Sequence, residues 1–267
     1  MQPFQVEAFD GTLLAARDWR PTGEARGTVL LVHGLGEHLG RYGHVAETLR
    51  AAGWRVLGAD LRGHGASGGR RGHVRRFGDY GRDLRTLAGI IGGPFQVLAQ
   101  STGALAVLDG FRGHALGPDR LVFSSPLVGL DMHAPAWKRL LAPVLSAVLP
   151  ILPIGNEIKL QDLTTDAEVL ATYRVDALRV PTVTPRWYTE MNAALRRVRE
   201  APLPALPLQL HVAGDERILD RDAVDRFHET WPDLVERHEW PRMRHDLMME
   251  PCAEELLEQV LTFLDSA

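Results

Sequence analysis

The stretch Phe95-Gln96-Val97-Leu98-Ala99-Gln100-Ser101-Thr102-Gly103 decides how this chain folds. Residues 95–98 form an apolar run of strand length, and Ala104-Leu105-Ala106-Val107-Leu108 beyond them is helical in composition. Between the two lies small-x-Ser-x-Gly. A strand that turns this abruptly into a helix leaves room only for small side chains two positions either side of the serine, here Ala99 and Gly103. The strained turn lifts the hydroxyl clear of the sheet, where a base can reach it. Ser-x-Gly also occurs in ordinary turns. The reading therefore depends on whether a base, an acid and backbone amide donors stand elsewhere in suitable places.

Outward from this turn, strand-like and helix-like segments alternate. Residues 5–9 and 13–19 read as an antiparallel pair about the Asp10-Gly11 turn, and 28–33 is a Val/Leu run typical of a strand buried on both faces. A helix over 42–52 stops at Gly53, a strand covers 55–59, and a helix covers 77–90. Short strands follow at 121–124, 208–213 and 235–240, with helices at 221–230 and 253–264. This alternation predicts an α/β fold with a mostly parallel, doubly wound sheet. Residues 126–206 break the rhythm: they are proline-rich, with amphipathic helical patches such as 185–199 and a stiff Pro202-Leu203-Pro204-Ala205-Leu206-Pro207 return. The expected organisation is a core of residues 1–125 and 207–267 with a helical cap, 126–206, over the carboxyl ends of the strands, where open α/β sheets bind ligands.

Composition narrows the function. The chain has 267 residues, enough for one large domain or a domain with an insertion. Its net charge of −4 is spread among interspersed charges of both signs, so no basic footprint for nucleic acid exists. Cys252 is the only cysteine, which excludes an internal disulfide and a Cys-x-x-Cys site. Residues 1–10 lack the basic and apolar regions of a secretory signal, giving a cytoplasmic expectation. The most apolar stretch, 140–154, holds three prolines in 15 residues. It falls short of the roughly 20 needed to span a bilayer.

A serine site of this type carries its acid and then its base downstream of the nucleophile. The loop Gly214-Asp215-Glu216-Arg217-Ile218-Leu219-Asp220 offers carboxylates after one strand, and Pro241-Arg242-Met243-Arg244-His245-Asp246 offers a histidine after the next. Ser101 is the candidate nucleophile and His245 its base. Asp215 and Glu216 both remain candidates for the carboxylate that would stabilise the imidazolium. His33-Gly34-Leu35-Gly36 follows the first long strand, and its glycines let backbone amides point into a site. The amides of Leu35 and Thr102 are the candidate oxyanion donors. His33, His38, Asp60 and His64 fit no dense zinc spacing, and Arg62 would set a positive charge among them, so no metal is expected. Gly63-His64-Gly65 lacks the Lys-Ser/Thr of a phosphate cradle, so no cofactor is expected either. Ser67, Ser124 and Ser125 stand outside any elbow. Trp187, Tyr188 and Met191 read as cap core, and Arg70, Arg71, Arg75 and Arg76 as a solvated loop.

Taken together, these segments resemble the monoacylglycerol lipase and lysophospholipase branch of the α/β hydrolases, which includes the S33 serine aminopeptidases. His33-Gly34-Leu35-Gly36-Glu37-His38 with Arg41-Tyr42 is similar to the branch's His-Gly-x-Gly-Glu-His…Arg-Tyr signature. Asp60-Leu61-Arg62-Gly63-His64-Gly65-Ala66-Ser67 is similar to its Asp-x-Arg-Gly-His-Gly-x-Ser segment, and Phe77 and Asp79 match its next landmarks. Ser125-Pro126-Leu127-Val128, Tyr173-Arg174-Val175-Asp176 and Pro185-Arg186-Trp187-Tyr188 resemble its cap, and His245 to Glu250 its ending. The likeness runs from about Phe4 to the C-terminus. There are two departures: Ala99 stands where the branch usually has glycine, and Gln100 where it commonly has histidine. Counting back from Ile218-Leu219-Asp220 as the branch does selects Glu216 as the acid, whereas a preference for aspartate selects Asp215; Glu216 is taken here.

The resemblance implies an α/β-hydrolase fold and a cofactor-free serine hydrolase with Ser101, Glu216 and His245 as its triad. Its partner would be a small acyl ester such as a monoacylglycerol or lysophospholipid. The apolar insertion implies an acyl pocket and transient contact with lipid surfaces through the cap. An S33-type aminopeptidase or a small-ester carboxylesterase is the enzymatic alternative, and a hydrolase-fold binding protein without turnover is the alternative of another class.

Overall fold

The computed structural model describes residues 1–113, 116–130, 136–200, 205–231 and 235–266. The chain opens with β1 (Gln2–Glu7) and β2 (Leu13–Trp19), an antiparallel pair turned at Asp10-Gly11. There follow β3 (Thr28–Val32), α1 (Gly43–Ala51), β4 (Arg55–Ala59), α2 (Gly78–Ile91), β5 (Gln96–Gln100), α3 (Thr102–Gly113) and β6 (Arg120–Ser124). After a long excursion the chain returns as β9 (Leu208–Ala213), α7 (Arg221–Thr230), β10 (Val235–Trp240) and α8 (Ala253–Asp265). The eight-stranded sheet has the order β1-β2-β4-β3-β5-β6-β9-β10. β2 runs antiparallel to β4, and every pair from β4 through β10 is parallel. This is the α/β-hydrolase fold.

All five residues of β3 and of β5 are buried, which explains the apolar runs Val29–Val32 and Val97–Ala99 within them. Alternate side chains serve two cores. Val97 and Ala99 join the layer under α2 and α3, whereas Leu98 joins the layer under α1 and α8. β5 is therefore clamped from both faces, and the turn at its end is held rigidly at the carboxyl edge of the sheet.

Between β6 and β9 lie α4 (Ala136–Val148), β7 (Ile154–Gly155), α5 (Ala167–Val175), β8 (Thr182–Val183) and α6 (Pro185–Glu200). The helical patch read at 185–199 is α6, whereas α4, α5 and the antiparallel ladder of β7 and β8 were not located from the sequence, the ladder because two-residue strands leave no period to read. α4 ends at Val148, before Pro150 and Pro153, with Pro143 inside it. Residues 202–204 of the proline-rich return lie outside the described residues.

α6 packs against both α3 and α4. It is fastened to the sheet layers by specific bonds. Trp187 Nε1 donates to the Tyr80 hydroxyl at 3.0 Å, Arg197 forms a bidentate pair with Asp109 at 2.8 Å, and Glu190 accepts from the Phe77 amide at 3.1 Å. Val180 N donates to Gly36 O at 3.1 Å. That contact explains one glycine: Gly36 has φ +76°, and a Cβ there would meet Val180 O at 2.9 Å. Among the described residues no helix is long and apolar enough to cross a membrane.

Candidate active site

Ser101 stands at the junction of β5 and α3 with φ +49°, a left-handed conformation that costs an ordinary residue energy and persists only where the surroundings impose it. They do so here. Ser101 N donates to Ser124 O at 3.0 Å on the neighbouring strand, while Ser101 O accepts from Ala104 N at 3.0 Å and Leu127 N at 3.1 Å. Gly103 is required because a Cβ there would come within 2.6 Å of His33 O. Ala99 lies within β5, so its methyl is accommodated where a residue of positive φ would have needed glycine.

His245 is buried, and its Nδ1 lies 2.9 Å from Glu216 Oε2. The other Glu216 oxygen accepts the amides of Arg217 (3.0 Å), Ile218 (2.9 Å) and Leu219 (3.2 Å). Those bonds aim the carboxylate inward. Asp215 points elsewhere: it pairs with Arg217 at 2.7 Å and Arg244 at 3.3 Å near the surface. Of the two candidate acids, the structure brings Glu216 to His245 and leaves Asp215 in an exposed ion pair.

Burial alone would lower the His245 pKa, but the Glu216 carboxylate overcomes it, with smaller help from Asp246 and Glu37. The pKa is held up at about 9. For Glu216, burial pushes upward, yet the charge and hydrogen bond of His245 and the backbone amides win, leaving its pKa lowered. The pair is thus arranged to favour imidazolium beside carboxylate.

Ser101 and His245 line one cavity of about 440 Å³, together with Leu35 and Thr102. Among the described residues no protein group accepts the amide hydrogens of Leu35 or Thr102. The cavity walls are mostly apolar, from Leu127 and Leu130 through Leu145, Leu163 and Met191 to Ile218 and Leu219. Trp187 and Tyr188, read as cap core, both line it, and Trp187 is buried as well. The arrangement can activate an alcohol, receive a carbonyl and hold a long apolar group.

A polar cluster behind His245 was not given roles by sequence reasoning. Glu37 accepts the Tyr42 hydroxyl, and Asp246 Oδ2 accepts the Tyr173 hydroxyl at 2.9 Å. The Arg41 guanidinium lies 3.9 Å over the Tyr173 ring and pairs with Asp176, which also meets His38 Nε2 at 3.1 Å. Burial raises both acids, Asp246 to about 7. The usable signal was the Glu37-His38…Arg41-Tyr42 segment, whose side chains carry too much charge for an ordinary turn. Glu250 adds a strap between this loop and the insertion, accepting the amides of Thr165 (2.7 Å) and Arg244 (3.0 Å).

The histidines and acids weighed as metal ligands have other partners. Asp60 accepts the amides of Leu39 and Ala66, each at 2.8 Å, while His33 accepts the Leu61 amide at 2.8 Å and meets Gly34 O at 2.8 Å. Burial pushes His33 and His64 down to about 3. Ser67 braces the same loop, accepting the Ala15 amide at 2.9 Å. Arg71 is exposed and donates to Gly65 O at 2.7 Å.

A profile of the family described as "Serine aminopeptidase, S33" (Hydrolase_4) matches residues 23–252. The chain belongs to this family. A family relative in Mycolicibacterium smegmatis, named monoacylglycerol lipase, is 31% identical over 93% of this chain and 91% of its own length. Phospholipase YtpA of Bacillus subtilis is 27% identical over 89% of this chain and 94% of its own. Among solved structures, a Paleococcus ferrophilus monoacylglycerol lipase superposes with a TM-score of 0.88 at 26% identity, covering 95% of this chain and 98% of that one. The S33 fold thus places the strand–turn–helix of Ser101 and the loops of Glu216 and His245 along one carboxyl edge of the sheet.

Proposed function

We propose that this S33-family chain is a serine ester hydrolase that cleaves monoacylglycerols by acyl transfer. The observation that carries the reading is the His245–Glu216 pair at 2.9 Å in a cavity that also holds Ser101 on its strained turn. Neutral His245 takes the Ser101 proton as Oγ bonds to the ester carbonyl carbon, and Glu216 stabilises the imidazolium. The oxyanion is held by the amides of Leu35 and Thr102, each donor being worth about 3 kcal/mol of barrier. The alcohol leaves with the proton from His245. Water, deprotonated by the same imidazole, then splits the acyl-serine. No metal or cofactor enters these steps.

Residues 126–206 act as the cap, and their apolar contribution to the cavity supports an acyl chain in the substrate. α4 supports contact with lipid surfaces: Leu140 is 78% exposed and Val148 70%. The names of the two curated relatives support a lipid substrate with a glycerol or phospholipid head.

A fluorophosphonate probe tests the chemistry, and a substrate panel tests the class. Wild-type protein should label stoichiometrically and Ser101→Ala not at all. Monoacylglycerol turnover should exceed that of lysophospholipids, short p-nitrophenyl esters and an aminoacyl-naphthylamide. Preference for the amide would transfer the reading to a peptidase, and absence of labelling would leave a binding protein.

A further inference from the structure

Gln100 ends β5 immediately before Ser101 and is 1% exposed. Its Nε2 donates to the carbonyl oxygen of His245 at 3.0 Å, across 145 residues of chain. The reverse orientation of the amide would set two carbonyl oxygens against each other, so the donor assignment follows from the contact itself. Its Oε1 is buried without a partner among the described residues. A buried amide used only through its N–H bears a desolvation cost, which singles out that one bond as the use of the side chain.

Other bonds of the His245 loop come from elsewhere, among them three to its main chain and ring. Glu216 holds the imidazole at 2.9 Å, Leu163 O takes the Asp246 amide at 2.8 Å, and Glu250 takes the Arg244 amide at 3.0 Å. These partners belong to the acid loop, to the segment between β6 and β9, and to the loop itself. Among the described residues, the Gln100 bond is the hydrogen bond that ties the loop to the strand presenting Ser101.

We propose that Gln100 is a positioning residue: by tethering the main chain of His245 to the end of β5, it sets the distance between that imidazole and the Ser101 hydroxyl. The proposal rests on the serine-hydrolase reading above. Glu216 governs the tautomer and charge of the ring, whereas Gln100 governs where the ring stands. The division has a chemical basis, because the tether reaches a backbone carbonyl and leaves both ring nitrogens alone.

Along the sheet the neighbours of the tether are uncharged, whereas on the Gly34 side the buried Glu37 carboxylate borders the same position as the Gln100 side chain. In register, Gln100 lies opposite Ser124 on β6, Ser124 opposite His211 on β9, and His211 opposite His238 on β10. His211 meets Gln209 Oε1 through Nε2 at 2.9 Å and accepts the Trp240 indole N–H through Nδ1 at 3.2 Å. Its ring is thereby fixed as the neutral Nε2–H tautomer. Burial, aided by nearby His238, pushes its pKa down to about 3. The neighbours on this row nearest the amide, Ser124 and His211, are neutral through the working range, and a glutamine donor does not titrate.

The test compares wild type with Gln100→Leu, which fills the space without a donor, Gln100→Asn, which keeps the amide but is one methylene short, and Gln100→His, which restores an N–H at similar reach. Each is titrated with fluorophosphonate so that kcat is expressed per active serine, and kcat and KM are followed against pH. Gln100→Leu and Gln100→Asn should lose kcat by on the order of 10²-fold, the effect of a misplacement of about 1 Å. KM should stay within about twofold, the midpoint of the pH profile should not move, and Gln100→His should recover most of the rate. A general structural role would lower the titratable fraction and thermal stability while sparing kcat per site. Unchanged kcat per site in both the Leu and Asn variants overturns the tether, as does a His variant no better than Leu. Wild-type protein that does not label overturns the hydrolase reading instead, so the two failures are distinct. Should the Leu variant not fold, the Asn and His pair carries the same comparison.

Discussion

Asp215 and Glu216 are neighbours in a loop, both acidic, and either spacing suits a strand end. Charge alone does not separate them. The difference arises from where each carboxylate points: Glu216 is fixed inward by three successive amides and bonds His245, while Asp215 is drawn outward by Arg217 and Arg244. Counting from the Ile218-Leu219-Asp220 tail favoured Glu216, and geometry supplies the physical reason. Accordingly, Glu216→Gln should reduce kcat by on the order of 10⁴, and Asp215→Asn by no more than a few-fold, in steady-state assays on one ester. In the proposed reaction the pH profile is set by the same pair. His245 must be neutral to accept a proton, and its pKa is held up at about 9 by Glu216. Activity should therefore be low where the ring is charged and rise with pH along a limb well above the ordinary histidine value. Glu216→Gln removes the charge that favours imidazolium, so the residual activity should rise at lower pH. A wild-type kcat/KM limb centred near an unperturbed histidine would contradict this.

At the scale of elements, the elbow was legible because it combines two periods. A fully buried strand of five residues meets a helix, with the small residues Ala99 and Gly103 two positions either side of the serine. The central strands β3, β4 and β6 were legible because their buried residues are mostly apolar. The segment between β6 and β9 was less so. Its helices carry an apolar face, but the β7–β8 ladder is held by two residue pairs and leaves no pattern. How α6 is fastened also depends on partners far away in sequence, of which the Trp187–Tyr80 bond is an example, 107 residues apart. Trp187→Phe keeps the aromatic packing but leaves the buried Tyr80 hydroxyl without its donor. Chemical denaturation should show a loss of about 1–3 kcal/mol. A loss below a few tenths would mean that the hydroxyl finds another partner.

For the molecule as a whole, the notable surface lies on α4 and the turn after it. Leu140, Val144 and Val148 are largely exposed, while Ala142 and Leu145 of the same helix line the cavity. One helix thus offers an apolar outer face to its surroundings and an apolar inner face to the cavity. Replacing Leu140 and Val148 together by Glu should cut co-sedimentation with phosphatidylcholine vesicles several-fold while leaving turnover of a short soluble ester within about twofold, since neither residue lines the cavity. Equal sedimentation of variant and wild type would sink the idea of a lipid-facing helix.

Local patterns sufficed for the central strands and for the strand–turn–helix at Ser101, because buried strands and tight turns restrict residue choice at neighbouring positions. Long-range contacts brought the Glu216 carboxylate to His245, joined Gln100 to the same residue, and gathered Glu37, Arg41, Tyr173 and Asp246 behind the imidazole. Those choices depend on the direction in which a side chain points once distant loops meet. A one-dimensional pattern carries no such direction, so only the folded chain could make them.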